Sequence, residues 1–506
     1  MKETRLIKKW KVCLPIAVLL FLIFSCAEGY ESPDGFDSGV RNTLLETPDS
    51  VSFVVSTDGK TATVSWSLVY GAEGYEVTFC NVDDPENPQV VDGFDKKLVD
   101  GSKMTVSVAE DSKYEFSIRV IGNKTQGNKD AESPKTYNFS TLVPSVAVIP
   151  SGEDIALYMK EHRLDTLSEE VAIDLEPKGE YTLSDTVDLG PHNVTLRGDK
   201  IYRATVKMQG NGTIMSYSGL KIKYINFDCA ESTAKGVVGM SVKNLPEEIK
   251  SQNLGYTRDG KPINDIYIVR DPFYIAHCWF KDVPNALLYD NEVQCAWWHV
   301  TVDDCIVQQN NSGSIGMFCL QKKGRIIKNL KLTNSTFYNI VNNGSAYFLR
   351  YANQSNANPQ KVFGNATGPM STQSITFSNC TLSKVYTEQK FVNNINATGQ
   401  VLTIDHCIFY DIHSVRQLPR YGGNKTFKFN FWWGITKIDD ADMSQKDSYG
   451  TPFAMDYDPQ FKGNVLQSLD FSLPNGGVDF TPQEYEIVVN NAGDPRWLEQ
   501  NSNNNN

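Results

Sequence analysis

The segment Thr301-Val-Asp-Asp-Cys305-Ile-Val307 decides the fold, because four others repeat its pattern. They are Tyr274-Ile-Ala-His-Cys278-Trp-Phe280, Lys331-Leu-Thr-Asn-Ser335-Thr-Phe337, Thr376-Phe-Ser-Asn-Cys380-Thr-Leu382 and Thr403-Ile-Asp-His-Cys407-Ile-Phe409. From Cys278 the small residue recurs after 27, 30, 45 and 27 positions. Self-similarity at such a period marks a solenoid in which one repeat is one coil. Positions −5 and −3 are apolar, as in Val300/Val302 and Leu402/Ile404, and position +2 is apolar again. Side chains alternate faces along a strand, so −5 and −3 point inward together. Position −1 is His, Asp or Asn, which suits a two-residue corner: Asn and Asp tolerate left-handed backbone and bond locally. Coils stack about 4.8 Å apart, so like residues form ladders, and only stacking buries the inner face. The step of 45 admits two short coils or one coil carrying a long loop over 352–372. An earlier segment, Ile225-Asn-Phe227-Asp-Cys229, joins with a one-residue slip, about two coils before Cys278.

The repeats predict a β-helix over 150–435. Ile155-Ala-Leu157 opens a helical pattern suited to capping the first coil. The stretch 436–500 is expected to extend and cap the last coils, and 501–506 to be a disordered tail. Upstream, 48–142 carries short alternating strands: Val51-Ser-Phe53-Val-Val55, Thr61-Ala-Thr-Val64-Ser-Trp66, Tyr75-Glu-Val77-Thr-Phe79 and Tyr114-Glu-Phe116-Ser-Ile118-Arg-Val120. Alternation separated by turn signals predicts a β-sandwich. The whole chain is therefore read as all-β.

The N-terminus reads as an address. Lys2, Arg5, Lys8, Lys9 and Lys11 precede the apolar run 14–25, which is too short to span a bilayer at about 20 residues. Residues 1–25 are thus a signal peptide. Ile23-Phe24-Ser25-Cys26 resembles a bacterial lipobox, which implies lipidation at Cys26, export and an outer-membrane anchor. The polar stretch 26–47 is expected to be a flexible linker.

The chain has 506 residues and a formal net charge of −12. That acidity, without a long basic run, excludes a nucleic-acid partner, since phosphate neutralisation needs clustered Lys and Arg. Eight of the ten cysteines lie beyond Cys26, too sparse for a disulfide scaffold and without paired CxxC spacing. They are expected to be buried free thiols packing as small apolar groups. No GxSxG, HExxH or phosphate-loop context appears.

The repeats, with Gly179-Glu-Tyr181, Asn193-Val-Thr-Leu196-Arg-Gly198-Asp199, Asp458-Pro-Gln-Phe461 and Ala492-Gly-Asp494-Pro-Arg-Trp497, resemble the right-handed parallel β-helix of pectate-lyase-like proteins. The order Trp66, Tyr75, Tyr114-x-Phe116 resembles a fibronectin type III domain. Together with the lipobox, the chain is similar to Bacteroidetes-type surface lipoproteins of polysaccharide-utilisation systems.

In the resembled lyases the site lies on the outer face of the strands just before the long loops. Here those strands are expected at 286–290, 315–320, 346–351, 389–393 and 416–421. Arg350, Lys390, Arg416 and Arg420 are then expected to line one groove with Tyr351 and Tyr421, Arg gripping carboxylates and the rings supporting sugar faces. Trp297 is expected to face outward as a further platform, with Trp298 in the core. For β-elimination from a uronate, Arg350 or Lys390 is the candidate base, and Asp290 with Glu292 the candidate Ca2+ ligands. His277 and His406 are read as corner residues, and Asp303 and Asp405, too many coils apart to act as a glycosidase pair, as structural or solvated. The resemblance implies a surface protein that binds polysaccharide, pectin-like or otherwise acidic, beside other glycan-uptake proteins. The alternatives are a polysaccharide lyase and a purely structural or adhesive protein.

Overall fold

The computed structural model describes residues 39–164, 170–290, 293–321, 326–341, 347–351, 358–364, 372–386, 390–393, 400–420, 424–438 and 440–498. The chain divides into two compact units between Val143 and Pro144.

In the first unit, an antiparallel sheet of Val51–Val55, Thr61–Trp66 and Lys103–Ser107 accompanies a second built on Ala72–Asn81, Lys113–Gly122 and Lys135–Ser140. Alternation places Ala62, Val64 and Trp66 from one sheet against Tyr75, Val77, Phe79 and Phe116 from the other. The Trp66 ring lies 5.3 Å from Tyr75 and 5.8 Å from Phe116. Part of the expected linker belongs to this unit: Leu45 is buried, and its N–H donates to the Lys129 carbonyl at 3.2 Å.

The second unit is a parallel β-helix of about ten turns, beginning at residue 145. Its strands form three parallel walls. Wall 1 runs from Ser145–Ile149 through Phe273–Ala276, Cys295–Asp303, Ile326–Thr333, Gln373–Ser378 and Gln400–Asp405 to Asn424–Lys428. Wall 2 includes Ile225–Ser232, Trp279–Val283, Ile306–Gln309, Thr336–Asn339, Thr381–Ser383 and Ile408–Tyr410. Wall 3 comprises Thr186–Asp188, Thr213–Met215, Gly236–Gly239, Ala286–Asp290, Phe318–Leu320, Leu349–Tyr351 and Val392–Asn393. The helix Ile155–Glu161, capped by Asp154, buries Ile155 and Met159 in the same core.

The corner between walls 1 and 2 is where the repeat locates it. Tyr224, His277, Asp304, Asn334, Asn379, His406 and Phe429 all have φ between 46° and 58°. Side chains of adjacent corners join in a ladder. His277 Nδ1 bonds Asp304 Oδ2 at 2.6 Å, and Asp303 accepts from Asn334 Nδ2 at 2.9 Å. The next residue turns inward. Cys305 Sγ donates to the Asp303 carbonyl at 3.2 Å, and Ser335 Oγ makes the same bond to Thr333 at 2.6 Å. The eight described cysteines are free, and all but Cys80 are buried.

Two readings are settled by register. Ser335 and Cys380 belong to adjacent coils, since 329–333 pairs directly with 374–378. The interval of 45 is therefore one coil with a long insertion. The early segment aligns on Ile225 rather than Cys229: Asn226 pairs with Trp279 and Phe227 with Phe280. Its wall 1 strand pairs directly with Phe273–Ala276, so a single long coil, not two, separates them.

The C-terminal segment runs back over wall 2 rather than only capping the end. Ile306 and Tyr338 pack under Leu469, Phe480 and Trp497, and Ile408 and Phe431 under Ile487 and Ala492. Leu469 N donates to Gln308 Oε1 at 2.7 Å, and Gly493 N to the His406 carbonyl at 2.8 Å. The strap ends in a charged latch. Asp494 accepts from Thr336 Oγ1 at 2.8 Å and pairs with Arg496, which also pairs with Asp304. Burial pushes the Asp494 carboxyl up to about 6. Burial acts the same way on Asp304, but the His277 hydrogen bond and the Arg496 charge hold it below the ordinary carboxylate value.

Left-handed backbone at Asn334 predicts that Asn334→Gly folds with unchanged thermal stability, whereas Asn334→Val loses about 1–2 kcal/mol in denaturant titration. The Asp494 shift predicts a pH dependence. Its folded pKa exceeds the unfolded value, so this site stabilises most below about pH 4, and the contribution is lost as pH rises through about 6. Asp304 acts in the opposite sense, but only below about pH 4. Across that window wild type should lose stability relative to Asp494→Asn; parallel profiles would contradict this assignment.

Candidate functional site

Wall 3 presents one continuous outer row. Asp188, Met215, Gly239, Tyr289, Cys319, Arg350 and Asn393 pair in register from coil to coil. The neighbouring row, Val187, Ile214, Val238, Leu288, Phe318, Leu349 and Val392, is buried. Six coil steps give the outer row a length of roughly 29 Å.

Arg350 sits on this row as expected. Its guanidinium lies 4.6 Å over the Tyr347 ring and donates to the Ser314 carbonyl. It also stands next to the Cys319 thiol, which burial pushes up to about 11 against the pull of the Arg350 charge. Lys390 is partly buried just before the strand Val392–Asn393. Burial, then the charge of Arg416, lowers its ammonium pKa below the ordinary value. Among the described residues no carboxylate pairs with Lys390 or Arg416, and Arg416 Nε is buried without a hydrogen-bond partner.

Other expected members are elsewhere. Tyr351 follows Arg350 and so, by the period of two, faces inward. It is buried, and its Oη accepts from Ile327 N at 3.2 Å. Asp290 shares parity with Leu288 and is likewise buried, taking a hydrogen bond from the Cys295 thiol. It does not present a calcium ligand on the outer face. Arg420 is exposed but ion-paired with the fully buried Asp442, and 416–420 forms turns instead of a fifth strand. Trp297 is buried, its ring 4.2 Å from Phe273, while Trp298 is the partly exposed one. The strand changes phase there: Trp297 and Val300 both face inward, and Ile327 and Leu330 repeat the shift in the next coil. Tyr421, Glu292 and Cys26 lie outside the described residues. Among the described residues no group of three His, Cys, Asp or Glu is placed to hold a metal ion.

The same row carries a second feature, one that residue patterns alone did not bring out. Between Met215 and Tyr289 the row has only Gly239, and a cleft of about 290 Å3 opens there. A Cβ at Gly239 would stand 2.9 Å from the Tyr289 carbonyl, and one at Gly236 would stand 2.6 Å from Tyr289 Cβ. Two glycines inside one strand, Gly236-Val-Val-Gly239, are the signal that was available, since glycine there marks close approach.

Residues 1–186 match a family described as a domain of unknown function, DUF4992, and residues 179–340 match a second, DUF4957. No curated protein matches. Among solved structures, the chain is similar to a family 28 exopolygalacturonase of Yersinia enterocolitica at 10% identity and a TM-score of 0.27, over 82% of this chain and 87% of that one. It is also similar to a pectate lyase of Erwinia chrysanthemi solved with tetragalacturonic acid, at 10% identity and a TM-score of 0.13, over 77% and 86%. Likeness at this level carries no argument about activity; the strand pairing above is what defines the β-helix.

The effect of the Arg416 charge on Lys390 predicts a measurable coupling. In Arg416→Ala the Lys390 ammonium pKa should rise toward its ordinary value, read from the pH dependence of amine acylation mapped by mass spectrometry. No change would mean that burial alone sets it.

Proposed function

We propose that this protein is a surface lipoprotein that binds an acidic polysaccharide along the outer face of wall 3. The observation that carries the reading is the pair Lys390 and Arg416: two partly buried cations, near enough that the Arg416 charge lowers the Lys390 pKa, with no carboxylate partner among the described residues. Like charges so placed raise each other's energy, and an anion bridging them removes that cost. Arg350 extends the positive stretch one coil further along the row. A uronate chain supplies carboxylates at regular intervals, and Arg350 with the Lys390–Arg416 pair offers cations in neighbouring coils. In this reading Cys26 carries the lipid, the outer membrane is the anchor, and the first unit is a fibronectin-like spacer. Its strand pairing, three strands in one sheet and five in the other, two of them short, is consistent with that role.

One observation favours a catalytic reading as well. An amine with a lowered pKa is what proton abstraction beside a uronate carboxylate needs, and Lys390 is such an amine. Of the expected calcium pair Asp290 and Glu292, only Asp290 is described, and it is buried.

Electrophoresis through gels containing polygalacturonate should retard the wild-type protein, and Lys390→Ala with Arg416→Ala should migrate as in plain gel. Unretarded wild type on a panel of acidic glycans would end the reading. Absorbance from unsaturated uronate, appearing with Ca2+ and lost in Lys390→Ala, would make the protein a lyase.

A further inference from the structure

We propose that the cleft between Met215 and Tyr289 is a subsite for an uncharged pyranose, so that the chain held on wall 3 carries neutral sugars beside its uronates. The inference rests on the acidic-glycan reading above and narrows its ligand. The missing side chain at Gly239 leaves a notch two coil steps wide, about 10 Å between flanking backbones. Met215 and Tyr289 form its apolar sides, and Thr186, Thr233 and Asn211 bring hydroxyl and amide groups to its edges. Such a lining matches a sugar ring, which offers a C–H face and a rim of hydroxyls.

The charges in the cleft argue against a uronate there. Among the lining residues only Lys235 and Asp290 carry charge. Lys235 is exposed and lies 5.7 Å from the Tyr289 ring centroid, while Asp290 forms part of the buried wall. An incoming carboxylate would meet one exposed cation, with the Asp290 carboxylate buried in the wall behind it. At the other end of the row it would meet Lys390 and Arg416 together. A neutral ring has no such penalty in the cleft and nothing to gain at the cation pair. The two places are linked by register: Tyr289, Cys319, Arg350 and Asn393 are successive positions, so they lie three coil steps apart, roughly 14 Å. A short oligosaccharide spans that distance.

Calorimetric titration of the full chain would use two probes of equal length: a homo-oligomer of galacturonate, and an oligomer alternating a uronate with a neutral sugar. The alternating chain should bind wild type roughly tenfold more tightly. Tyr289→Ala and, separately, the exposed Asn211→Ala should remove that advantage and leave the homo-oligomer unaffected. Equal affinity for both probes, or equal weakening of both in the folded Asn211→Ala variant, would overturn the subsite while leaving acidic-glycan binding intact. If neither probe binds, or if Lys390→Ala with Arg416→Ala leaves both unchanged, the acidic-glycan reading fails and the subsite with it.

Discussion

Every wall of the second unit depends on one backbone constraint, the left-handed residue that turns each coil between walls 1 and 2. In-register parallel pairing requires each coil to change direction at the same height as the one below. A single residue with φ near 50° does this in seven successive coils, from Tyr224 to Phe429. For a residue other than glycine that conformation costs roughly 1–2 kcal/mol. The ladder offsets it. Asp303 and Asp304 take hydrogen bonds from neighbouring corners, and Tyr224 and His277 stack at 4.8 Å with their planes 5° apart. Because these seven coils share the corner, their strands in walls 1, 2 and 3 inherit a common register. Wall 3 can therefore assemble a row from residues as distant in sequence as Gly239 and Asn393.

The outer faces of the three walls have different fates. Wall 1 turns a row of Thr301, Lys331, Thr376, Thr403 and Thr426 outward, an ordinary solvated β surface. Wall 2 turns out Ile306 and Tyr338 in one cluster and Ile408 and Phe431 in another, which left bare would make two apolar patches. The strap covers both, and its latch joins the strap's end to the corner ladder through Arg496 and Asp304. Wall 3 has neither a uniform polar row nor an apolar one. Its outer positions alternate between an absent side chain, an aromatic ring, a thiol and a guanidinium.

The coil was legible because its information is local and repeated. Apolar residues at −5, −3 and +2 and a turn former at −1 lie within eight residues of each other. The early coil was misaligned for the same reason: Cys229 matched the residue type, whereas Ile225 holds the position. An inward slot at the corner accepts either, and only strand pairing tells them apart. Arg350 was legible from parity along a strand that the sequence places correctly. Tyr351 was not consistent with that parity, since adjacent residues cannot share a face. Trp297 was placed outward by extending strict alternation through a bend, where the strand shifts phase. The cleft was illegible for a different reason. It is made by Met215, Gly239 and Tyr289, one residue from each of three coils, and its defining feature is a side chain that is not there.

The charge distribution gives the cation pair its significance. A chain of net charge −12 repels a polyanion at long range, yet screening confines that repulsion to within about 8–10 Å at ordinary ionic strength. Inside that distance only local groups matter. Arg420 shows how this protein treats a cation with a structural role, because its guanidinium is bound to a buried carboxylate, Asp442. Arg197 is treated likewise, held by Asp174 at 2.8 Å. Lys390 and Arg416 have no such partner among the described residues, although 60 acidic side chains are available in the sequence. Burial and mutual repulsion both oppose the charged form of Lys390. Arg197 and Arg420 each have a carboxylate partner, whereas this pair has none among the described residues, and that asymmetry is what the proposed acidic-glycan binding rests on.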